Sequence, residues 1–367
     1  MKFSINKAEL QNALSVVLKG VSSRSTLPVL SGILVDAHDD ELSFQATDLE
    51  LSIQYDVLAL VEEPGRTVLP GKLVNDIVKS LPDVAVHVEA TEDQALITCD
   101  TSSFTLHALN PDDFPAFPHV DVEQQIEIPF TRFASMVRRV ARVVSRDETR
   151  MTLTGVLVTL EETTLRMVAT DSYRLAVTEA QLETPAAENF SAVISGTFLS
   201  DIASLPKTEE PVTIALAQNQ ILVSYRSTVF INRRIEGTFP NYKQLLPSGY
   251  ASRATMPTAS LLGAVKRVSL LGASGAPVRV LVDSDGSLVT LSAATQDVGS
   301  AKETLNAICD GESVEIAFNC GYMIEGLGSV ETDEVYLDVQ SPMKPGILRS
   351  TNQEEGFLYL IMPVRIS

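Results

Sequence analysis

The sequence contains few of the residues that build metal sites or nucleophilic sites. It has four histidines, all in the first third of the chain, and three cysteines without CxxC spacing. These residues are His38, His87, His107, His119, Cys99, Cys309 and Cys320. No two histidines stand at the spacing of zinc ligands, so we expect no metal and no cofactor. The odd number of cysteines fits buried thiols in a reducing compartment, which favours the cytoplasm.

Several motifs and long apolar runs are also absent. The chain has no Walker loop, no GxGxxG and no GxSxG, so the common nucleotide and hydrolase templates fail. No run of 18 apolar residues occurs, which excludes a membrane-spanning helix. The N-terminus, MKFSINKAEL, has the composition of an amphipathic start and not of a signal peptide. The sequence therefore argues against an enzyme and against a membrane protein.

What the chain does contain is an internal triplication. The triplet Ala-Thr-Asp begins at Ala46 and Ala169, and Ala-Thr-Gln begins at Ala294. A segment that starts at Val68 returns in related form from Val193 and from Ile316, with the same period of about 125 residues. Phe-Pro also recurs at Phe114 and Phe239, 125 residues apart. These three markers with one period indicate three domains, which we place at 1–122, 123–250 and 251–367. Three similar domains in a row favour a curved or ring-shaped body over a catalytic cleft.

The pattern of apolar and turn residues in each repeat predicts strands, hairpins and two helices, and so the α+β class. The predicted helices are 6–22, 71–82, 131–146, 196–206, 258–272 and 319–329. In the first helix of each repeat, apolar residues recur every three to four positions, which indicates one buried stripe. Predicted hairpins pair 156–160 with 165–169, 221–225 with 229–235 and 278–282 with 288–293.

The charge of the chain is unevenly divided. The net charge of −19 argues at first against a nucleic-acid partner. The six predicted helices, however, hold eleven basic and four acidic residues and so carry +7, which leaves −26 on the rest. This division predicts a positive surface on the helices and an acidic remainder that repels polyanions. The alternative is that long basic side chains are simply good helix formers.

Several strings resemble, in order and along the full length, the bacterial DNA polymerase III β subunit family of sliding clamps. They include MKFSI at the start, RSTLP from Arg24, ATDLE from Ala46, ATDSYRLAV from Ala169, GTFPNY from Gly237 and YLIMPVR from Tyr359. The resemblance implies three DNA-clamp domains per chain, each antiparallel β with two helices. Two chains would form a head-to-tail dimeric six-domain ring, with helices lining the hole and sheets outside.

The implied ring has a testable size. Twelve helices about 10 Å apart give a circumference of about 120 Å and a hole about 28 Å wide. Duplex DNA, about 20 Å across, fits such a hole, whereas six helices would leave only about 9 Å. The implied function is a non-catalytic processivity clamp that encircles DNA, slides on it and tethers the polymerase. A closed ring needs only weak, sequence-independent phosphate attraction.

The exposed helix faces give the DNA-facing set of site residues, and the resemblance implies a peptide-pocket set and a dimer-seam set. The DNA-facing set is Arg24, Lys72, Lys79, Arg138, Arg139, Arg142, Arg146, Arg150, Lys266 and Arg267. The peptide-pocket set is Leu153, Thr170, Ser172, Tyr173, Arg174, Leu175, Pro240, Leu245, Leu360, Ile361, Met362, Pro363 and Val364. The dimer-seam set is Phe104, Leu106, Leu109, Leu270 and Leu271.

Each set has a structural alternative. The basic residues could be ordinary solvated charges, the run 360–364 could be a last core strand, and the seam leucines could belong to the core of one chain.

The pocket that the resemblance implies would take short peptides from the replicative polymerase, the clamp loader, repair polymerases, ligase and mismatch-repair proteins.

The chain departs from the family pattern at three places. Ser172-Tyr173 stands where Gly-His is common, Gln244 stands where a basic residue is common, and Ser367 extends the end by one residue. These departures affect the preference for partner peptides. Two rival interpretations remain at this point, an enzyme with an unrecognised site and a β-rich repeat protein that binds a peptide or another ligand without encircling DNA.

Overall fold

The computed structural model describes residues 1–22, 26–122, 124–183, 185, 189–271, 277–295, 298–352 and 355–365. The described residues form six α-helices and 26 strands, and the strands pair antiparallel. This confirms the α+β class predicted from the sequence.

The helices lie where the apolar rhythm predicts them, but they are shorter. They are α1 (Lys7–Val17), α2 (Gly71–Ser80), α3 (Phe130–Val140), α4 (Gly196–Ala203), α5 (Thr258–Ser269) and α6 (Cys320–Leu327). Two of the predicted helices end in 3₁₀ turns, at 18–20 and 141–143, because the α-helical hydrogen-bond pattern is not continued there. The side chain of Asn6 begins α1 by accepting a hydrogen bond of 2.8 Å from the amide of Ala8.

The strands of the first half are β1 (Lys2–Asn6), β2 (Gly32–His38), β3 (Glu41–Thr47), β4 (Leu51–Leu58), β5 (Leu60–Glu63), β6 (Gly65–Pro70), β7 (Ala85–Ala90), β8 (Gln94–Cys99), β9 (Ser102–His107), β10 (Gln124–Pro129), β11 (Gly155–Glu161), β12 (Thr164–Thr170) and β13 (Arg174–Gln181). Those of the second half are β14 (Phe190–Ser195), β15 (Pro211–Leu216), β16 (Gln220–Tyr225), β17 (Thr228–Arg233), β18 (Ser252–Pro257), β19 (Pro277–Asp283), β20 (Leu288–Thr295), β21 (Gly299–Asn306), β22 (Ile308–Gly311), β23 (Val314–Asn319), β24 (Glu334–Val339), β25 (Gly346–Ser350) and β26 (Leu358–Ile361).

The three predicted hairpins are present, and one of them ends earlier than predicted. Strand β17 stops at Arg233, whereas the sequence pattern continued it to Ile235. The amide of Arg234 donates to Asn219 O at 3.0 Å, and the amide of Ile235 donates to Val193 O at 2.9 Å. Ile235 has therefore left the hairpin and forms an isolated bridge to a different strand.

The first compact unit comprises residues 1–131 and 204–234. It contains a five-stranded sheet, β5-β1-β7-β8-β9, and an eight-stranded sheet, β10-β15-β16-β17-β4-β3-β2-β6. Helices α1 and α2 pack together, and α1 covers β3 and β4. One core cluster of this unit consists of Val29, Leu30, Leu34, Val68 and Phe114.

The second compact unit comprises residues 132–203 and 235–367. It contains a nine-stranded sheet, β14-β11-β12-β13-β26-β25-β24-β18-β22, and a four-stranded sheet, β21-β20-β19-β23. Helices α5 and α6 pack together, and α6 lies against β26. A Cβ at Gly326 would come within 2.6 Å of the Tyr359 ring, so this approach of helix to strand requires glycine.

Candidate functional site

The loop between β12 and β13 is built by side chains that bond to their own backbone. Asp171 Oδ1 accepts the amides of Tyr173 at 2.9 Å and Arg174 at 3.0 Å. Thr170 Oγ1 accepts the amide of Ser172 at 3.2 Å and donates to Arg174 O at 2.7 Å. Ser172 has φ of 81°, the left-handed region, and its hydroxyl accepts from Arg150 at 2.9 Å. The Ala-Thr-Asp string of the repeat is thus a turn that projects Ser172 and Tyr173 to the surface.

The strand after this loop contributes to a buried apolar cluster that lies beneath the exposed loop. Leu175 of β13 pairs with Leu360 of β26, and both are 1% exposed. They belong to one cluster, defined here as the apolar wall: Val168, Leu175, Val177, Val193, Phe239, Tyr242, Ile347, Leu358 and Leu360. Beside it, Met362 donates its amide to Tyr173 O at 2.9 Å and is 38% exposed. Methionine at this edge gives an adaptable apolar surface.

Arg174 lies on the other face of the same sheet. Side chains alternate along a strand, so Arg174 and its cross-strand partner Ile361 face away from the apolar wall. The guanidinium bonds to Asp171 Oδ2 at 3.0 Å, to Glu325 of α6, to Tyr359 Oη at 3.1 Å and to Arg142 O at 3.1 Å. The side chains of Arg174 and Ile361 therefore lie on the opposite face of the sheet from Leu175 and Leu360, and their place in a peptide pocket stays a prediction.

The Arg174 network shifts two pKa values. Burial opposes the charge of Arg174, but Tyr359 and Glu325 outweigh it and hold the pKa of the guanidinium above its ordinary value. Burial raises the pKa of the Tyr359 hydroxyl, although the neighbouring arginine acts in the opposite direction. Arg174 thus stays charged and Tyr359 neutral, so the network fixes the position of the β12–β13 loop.

The remaining pocket residues are spread over three segments. Leu153 is 6% exposed at the end of a 3₁₀ turn, whereas Pro240 and Leu245 lie exposed around the buried Tyr242. Pro363 bridges to Phe318, and Val364 donates its amide to Ala317 O at 2.8 Å. The interpretation of 360–364 as a core strand holds for β26, which ends at Ile361, but fails for the exposed Met362.

The sequence interpretation missed an aromatic pair at this surface. Tyr322 of α6 stacks with Tyr173, with ring centroids 6.4 Å apart and planes 26° from parallel. Arg174 lies 4.5 Å from the centroid of the Tyr322 ring. Tyr173 and Tyr322 are 149 residues apart in the sequence, and no local pattern signals such a contact.

Most of the predicted basic residues are exposed on helices or turns. Lys72 and Lys79 are exposed on α2, and Lys266 and Arg267 are exposed near the end of α5. Arg142, Arg146 and Arg150 are exposed after α3, and Arg138 is half-buried. Arg24 lies outside the described residues.

Three of these arginines have partners that restrain them. Arg267 pairs with Glu303, Arg150 pairs with Asp147 at 3.2 Å, and Arg142 Nε donates to Arg138 O at 2.9 Å. Exposed ion pairs such as those of Arg267 and Arg150 contribute little stability, so a phosphate can compete for these two arginines. The pairing is therefore compatible with phosphate contact at these residues.

Arg139 contradicts its prediction as a DNA-facing residue. Its side chain is 3% exposed and pairs with Glu331 at 2.7 Å and Glu355 at 3.0 Å. Burial alone would raise the pKa of Glu331, but Arg139 and the Ser135 hydroxyl outweigh burial and lower it. The helical spacing suggested an exposed face for Arg139, but acids 192 and 216 residues away enclose it. Arg139 is a buried ion-pair residue of the second unit.

The predicted seam residues divide into exposed and buried members. Leu270 follows α5 and is 80% exposed, whereas Leu271 and Phe104 are half-buried. Leu106 is 7% exposed, and Leu109 bonds to Val68 O and packs on the Phe114 cluster. Leu106 and the half-buried Leu109 thus pack within the chain, and their place in a dimer seam stays a prediction. Strand β9 is an edge strand of its sheet, as is β21 of its own.

No cluster that would bind a metal and no membrane-spanning helix are found in the described ranges. No three His, Cys, Asp or Glu residues among them converge on a point where a metal ion could lie. Among the same residues, no helix is both long and apolar enough to cross a membrane.

Three family models match the chain in succession. They are the N-terminal, central and C-terminal domains of the DNA polymerase III beta subunit, and they match residues 1–118, 127–241 and 243–365. A "Beta sliding clamp" of Staphylococcus epidermidis is 33% identical over 376 residues, which cover 100% of this chain and 99% of the relative. A "Beta sliding clamp" of Staphylococcus aureus has the same identity and coverage.

Solved structures agree over the whole length. A DNA polymerase sliding clamp from Bacillus subtilis is 31% identical, with a TM-score of 0.95 and 100% of both chains covered. A DnaN sliding clamp from Pseudomonas aeruginosa, solved bound to griselimycin, is 27% identical, with a TM-score of 0.94 and 100% of both chains covered.

Proposed function

The chain belongs to the DNA polymerase III beta subunit family of bacterial sliding clamps, and we propose that two copies close head to tail into a ring around duplex DNA. It is a non-catalytic processivity factor of a DNA polymerase holoenzyme and consists of three clamp domains. The observation that carries the proposal is the match to sliding clamps over 100% of the chain, at a TM-score of 0.95.

The three domains are proposed to meet at residues 122/123 and 250/251. Two chains then supply twelve helices, enough for a hole about 28 Å wide, through which duplex DNA passes with water between it and most of the wall. The acidic remainder, at −26, keeps the outer surface from holding DNA. The predicted cytoplasmic location follows from this function.

The DNA-facing residues are proposed to be the exposed members of the predicted set. They are Lys72, Lys79, Arg142, Arg146, Arg150, Lys266 and Arg267, with the half-buried Arg138 and with Arg24. Because phosphate contacts release counterions, neutralising several of them together should lower affinity for DNA and flatten its salt dependence. An unchanged slope in a salt titration would reject this assignment.

The apolar wall and its rim are proposed as the site for partner peptides. Met362, 38% exposed, and Tyr173, 61% exposed, supply the accessible apolar and aromatic contacts, and the buried Leu175 and Leu360 form the layer beneath them. The replicative polymerase, the clamp loader, repair polymerases, ligase and mismatch-repair proteins are the proposed partners. Griselimycin, which the Pseudomonas clamp binds, is proposed to occupy the same surface of this chain.

The dimer seam is proposed to join β9 of one chain to β21 of the other, since both are edge strands. Leu270, 80% exposed, would be covered there together with Leu271 and Phe104. Replacing Leu270 and Leu271 together by Ala should yield monomers. A dimer that persists in light scattering at the same concentration would contradict the seam.

The deciding experiment measures retention on DNA of different topology. The clamp is loaded by a bacterial clamp loader onto nicked circular plasmid, and the plasmid is then linearised. Loss of the protein from linear DNA, with retention on the circle, establishes encirclement. Equal retention on both forms would mean direct binding and would contradict the ring. Failure to load by a chain that is monomeric in light scattering would favour the β-rich peptide-binding repeat.

A further inference from the structure

A second concave surface lies beside the apolar wall in the second unit. It is a cavity of about 590 Å³, lined by β13, β26, β25, β24, β18 and the segment 246–250. Val177 and Leu358 of the apolar wall form part of its floor, as does Leu246, which packs against that wall. The cavity and the proposed peptide site therefore share residues, although the polar lining of the cavity is not part of the predicted pocket.

The strand register shows how the two surfaces are connected. One cross-strand row runs Leu175, Leu360, Ile347, Asp338 and Arg253, and the row next to it runs Val177, Leu358, Arg349 and Tyr336. Neighbouring strands are about 4.8 Å apart, so the first row spans about 19 Å from the apolar end to the charged end. Arg349 is the diagonal neighbour of Leu360, at roughly 7–8 Å.

Hydrogen bonds and ring contacts hold the side chains at the charged end of the cavity in place. Asp338, 5% exposed, accepts Arg253 Nε at 2.6 Å and Nη2 at 2.8 Å. The guanidinium of Arg253 lies between the Tyr250 and Tyr336 rings, 4.1 and 4.4 Å from their centroids. Asp338 and Arg253 thus neutralise each other in a fixed position.

Because Asp338 pairs with Arg253, the positive charge of Arg349 is not fully compensated. Its Nε donates to Asp338 at 3.1 Å, and in the part of the chain that the structure describes its Nη groups donate no hydrogen bond. The other acid of the cavity, Glu179, accepts Arg166 at 2.6 Å and so does not compensate Arg349. A partly exposed guanidinium fork beside an apolar floor is suited to a carboxylate carried next to an apolar group.

We propose that this cavity is a second subsite for the partner peptide, in which Arg349 binds an acidic side chain next to the apolar anchor. The proposal rests on the proposed peptide site and adds to it a preference for acid. An extended chain rises about 3.3 Å per residue, so the diagonal from Leu360 to Arg349 puts the acid about two residues from the anchor.

Matched fluorescent peptides test the subsite. Each carries a Leu-Leu core with Asp two residues before or after it, and its partner carries the isosteric Asn at the same place. Full-length protein should bind one Asp peptide about fivefold tighter than its Asn partner, as measured by anisotropy. Arg349→Gln should abolish this ratio by lowering affinity for the Asp peptide far more than for the Asn peptide, while Asp338 keeps its two bonds to Arg253.

Arg279→Gln is the control for loss of one positive charge. Arg279 lies on β19, pairs with Glu315 at 3.7 Å and does not line the cavity, so its variant should keep the ratio. Equal binding of the Asp and Asn peptides, or an equal loss of both in Arg349→Gln, would overturn the proposal.

A small probe separates failure of the subsite from failure of the proposed peptide site. If no peptide binds, the ¹⁹F signal of 4-fluorophenylacetate is followed on adding protein. Broadening with the native chain and not with Arg349→Gln would support a carboxylate site while the peptide site fails. The absence of broadening would overturn both.

Discussion

The loop after β3 in the first unit and the loop after β12 in the second have the same backbone and different side chains. In the first, Thr47 Oγ1 accepts a hydrogen bond from the amide of Leu49 at 3.0 Å. Asp48 Oδ1 accepts hydrogen bonds from the amides of Glu50 at 3.0 Å and Leu51 at 2.7 Å. Leu49 has φ of 76°, as Ser172 has φ of 81° in the second. The Thr-Asp pair of the repeat thus builds the same turn twice.

The strands beside the two loops also correspond. Strand β4 pairs with β17 as β13 pairs with β26, with Leu51 opposite Asn232 and Arg174 opposite Ile361. In the first unit the amide of Arg233 donates to Glu50 O at 3.1 Å. The Met362 amide makes the same bond to Tyr173 O in the second.

The two loops and their strands share one backbone arrangement, but their outer side chains, those on the side of the proposed peptide site, differ in kind. Glu50 and Arg233 stand in the first unit where Tyr173 and Met362 stand in the second. Ser52 stands where Leu175 does. The repeat therefore fixes the backbone, and only the second unit adds the apolar side chains that a peptide site needs.

The inner side chains, those on the other face of the sheet, are apolar in the first unit and polar or charged in the second. The first unit has Leu51 and the buried Phe230 where the second has Arg174 and Tyr359. The second unit thus places a charged, hydrogen-bonded network behind its apolar surface, whereas the first places ordinary core there.

Arg174→Leu, which installs the residue of the first unit, should have the largest effect. It removes the partner of Asp171, Glu325 and the Tyr359 hydroxyl, and breaking such a buried pair costs ~3–5 kcal/mol. Thermal unfolding followed by circular dichroism measures this. The control is Arg142→Leu, on an exposed arginine nearby, and an equal loss in both would contradict a special role for the network.

Tyr173→Glu combined with Met362→Arg installs the outer residues of the first unit on the second. Affinity for griselimycin should fall at least about tenfold, because both exposed apolar contacts are lost, while the melting temperature stays unchanged. Isothermal titration measures the affinity. The reciprocal variant, Glu50→Tyr with Arg233→Met, should leave griselimycin affinity unchanged, and undiminished binding by the first variant would place the ligand elsewhere.

Tyr359→Phe makes the inner position like Phe230 and should alter stability in alkali. The pKa of Tyr359 is raised from 10.0 in the folded state, so the fold keeps a proton that the unfolded chain loses. Stability therefore falls as pH rises above 10.0. In Tyr359→Phe the fall should be less steep, by up to ~1.4 kcal/mol per pH unit. Urea unfolding at pH values from neutral to alkaline measures it, and identical slopes would contradict the assignment.

Leu49→Gly should have the smallest effect, a gain of ~0.5–1 kcal/mol, because glycine adopts positive φ without strain. Leu49 is 62% exposed, so little burial is lost. Ser172→Gly should gain less, since it also loses the hydrogen bond from Arg150. Melting temperatures rank the two variants, and a larger gain for Ser172→Gly would mean that its hydroxyl contributes nothing.

The sequence by itself determined the elements and their repetition. Helices at 71–80 and 258–269 and the hairpin of β11 and β12 follow from local apolar rhythm and turn residues, which are short-range properties. The Thr-Asp turn likewise bonds within five residues, so its recurrence in the sequence was enough to predict its recurrence in the fold.

Only the tertiary structure decided which side chains of those elements reach the surface. Arg139 has the spacing of an exposed residue and is buried by Glu331 and Glu355. Arg174 and Leu175 are neighbours in the predicted pocket and lie on opposite faces of the sheet. Such outcomes depend on pairings between residues about 150 to 220 positions apart, which local periodicity cannot encode.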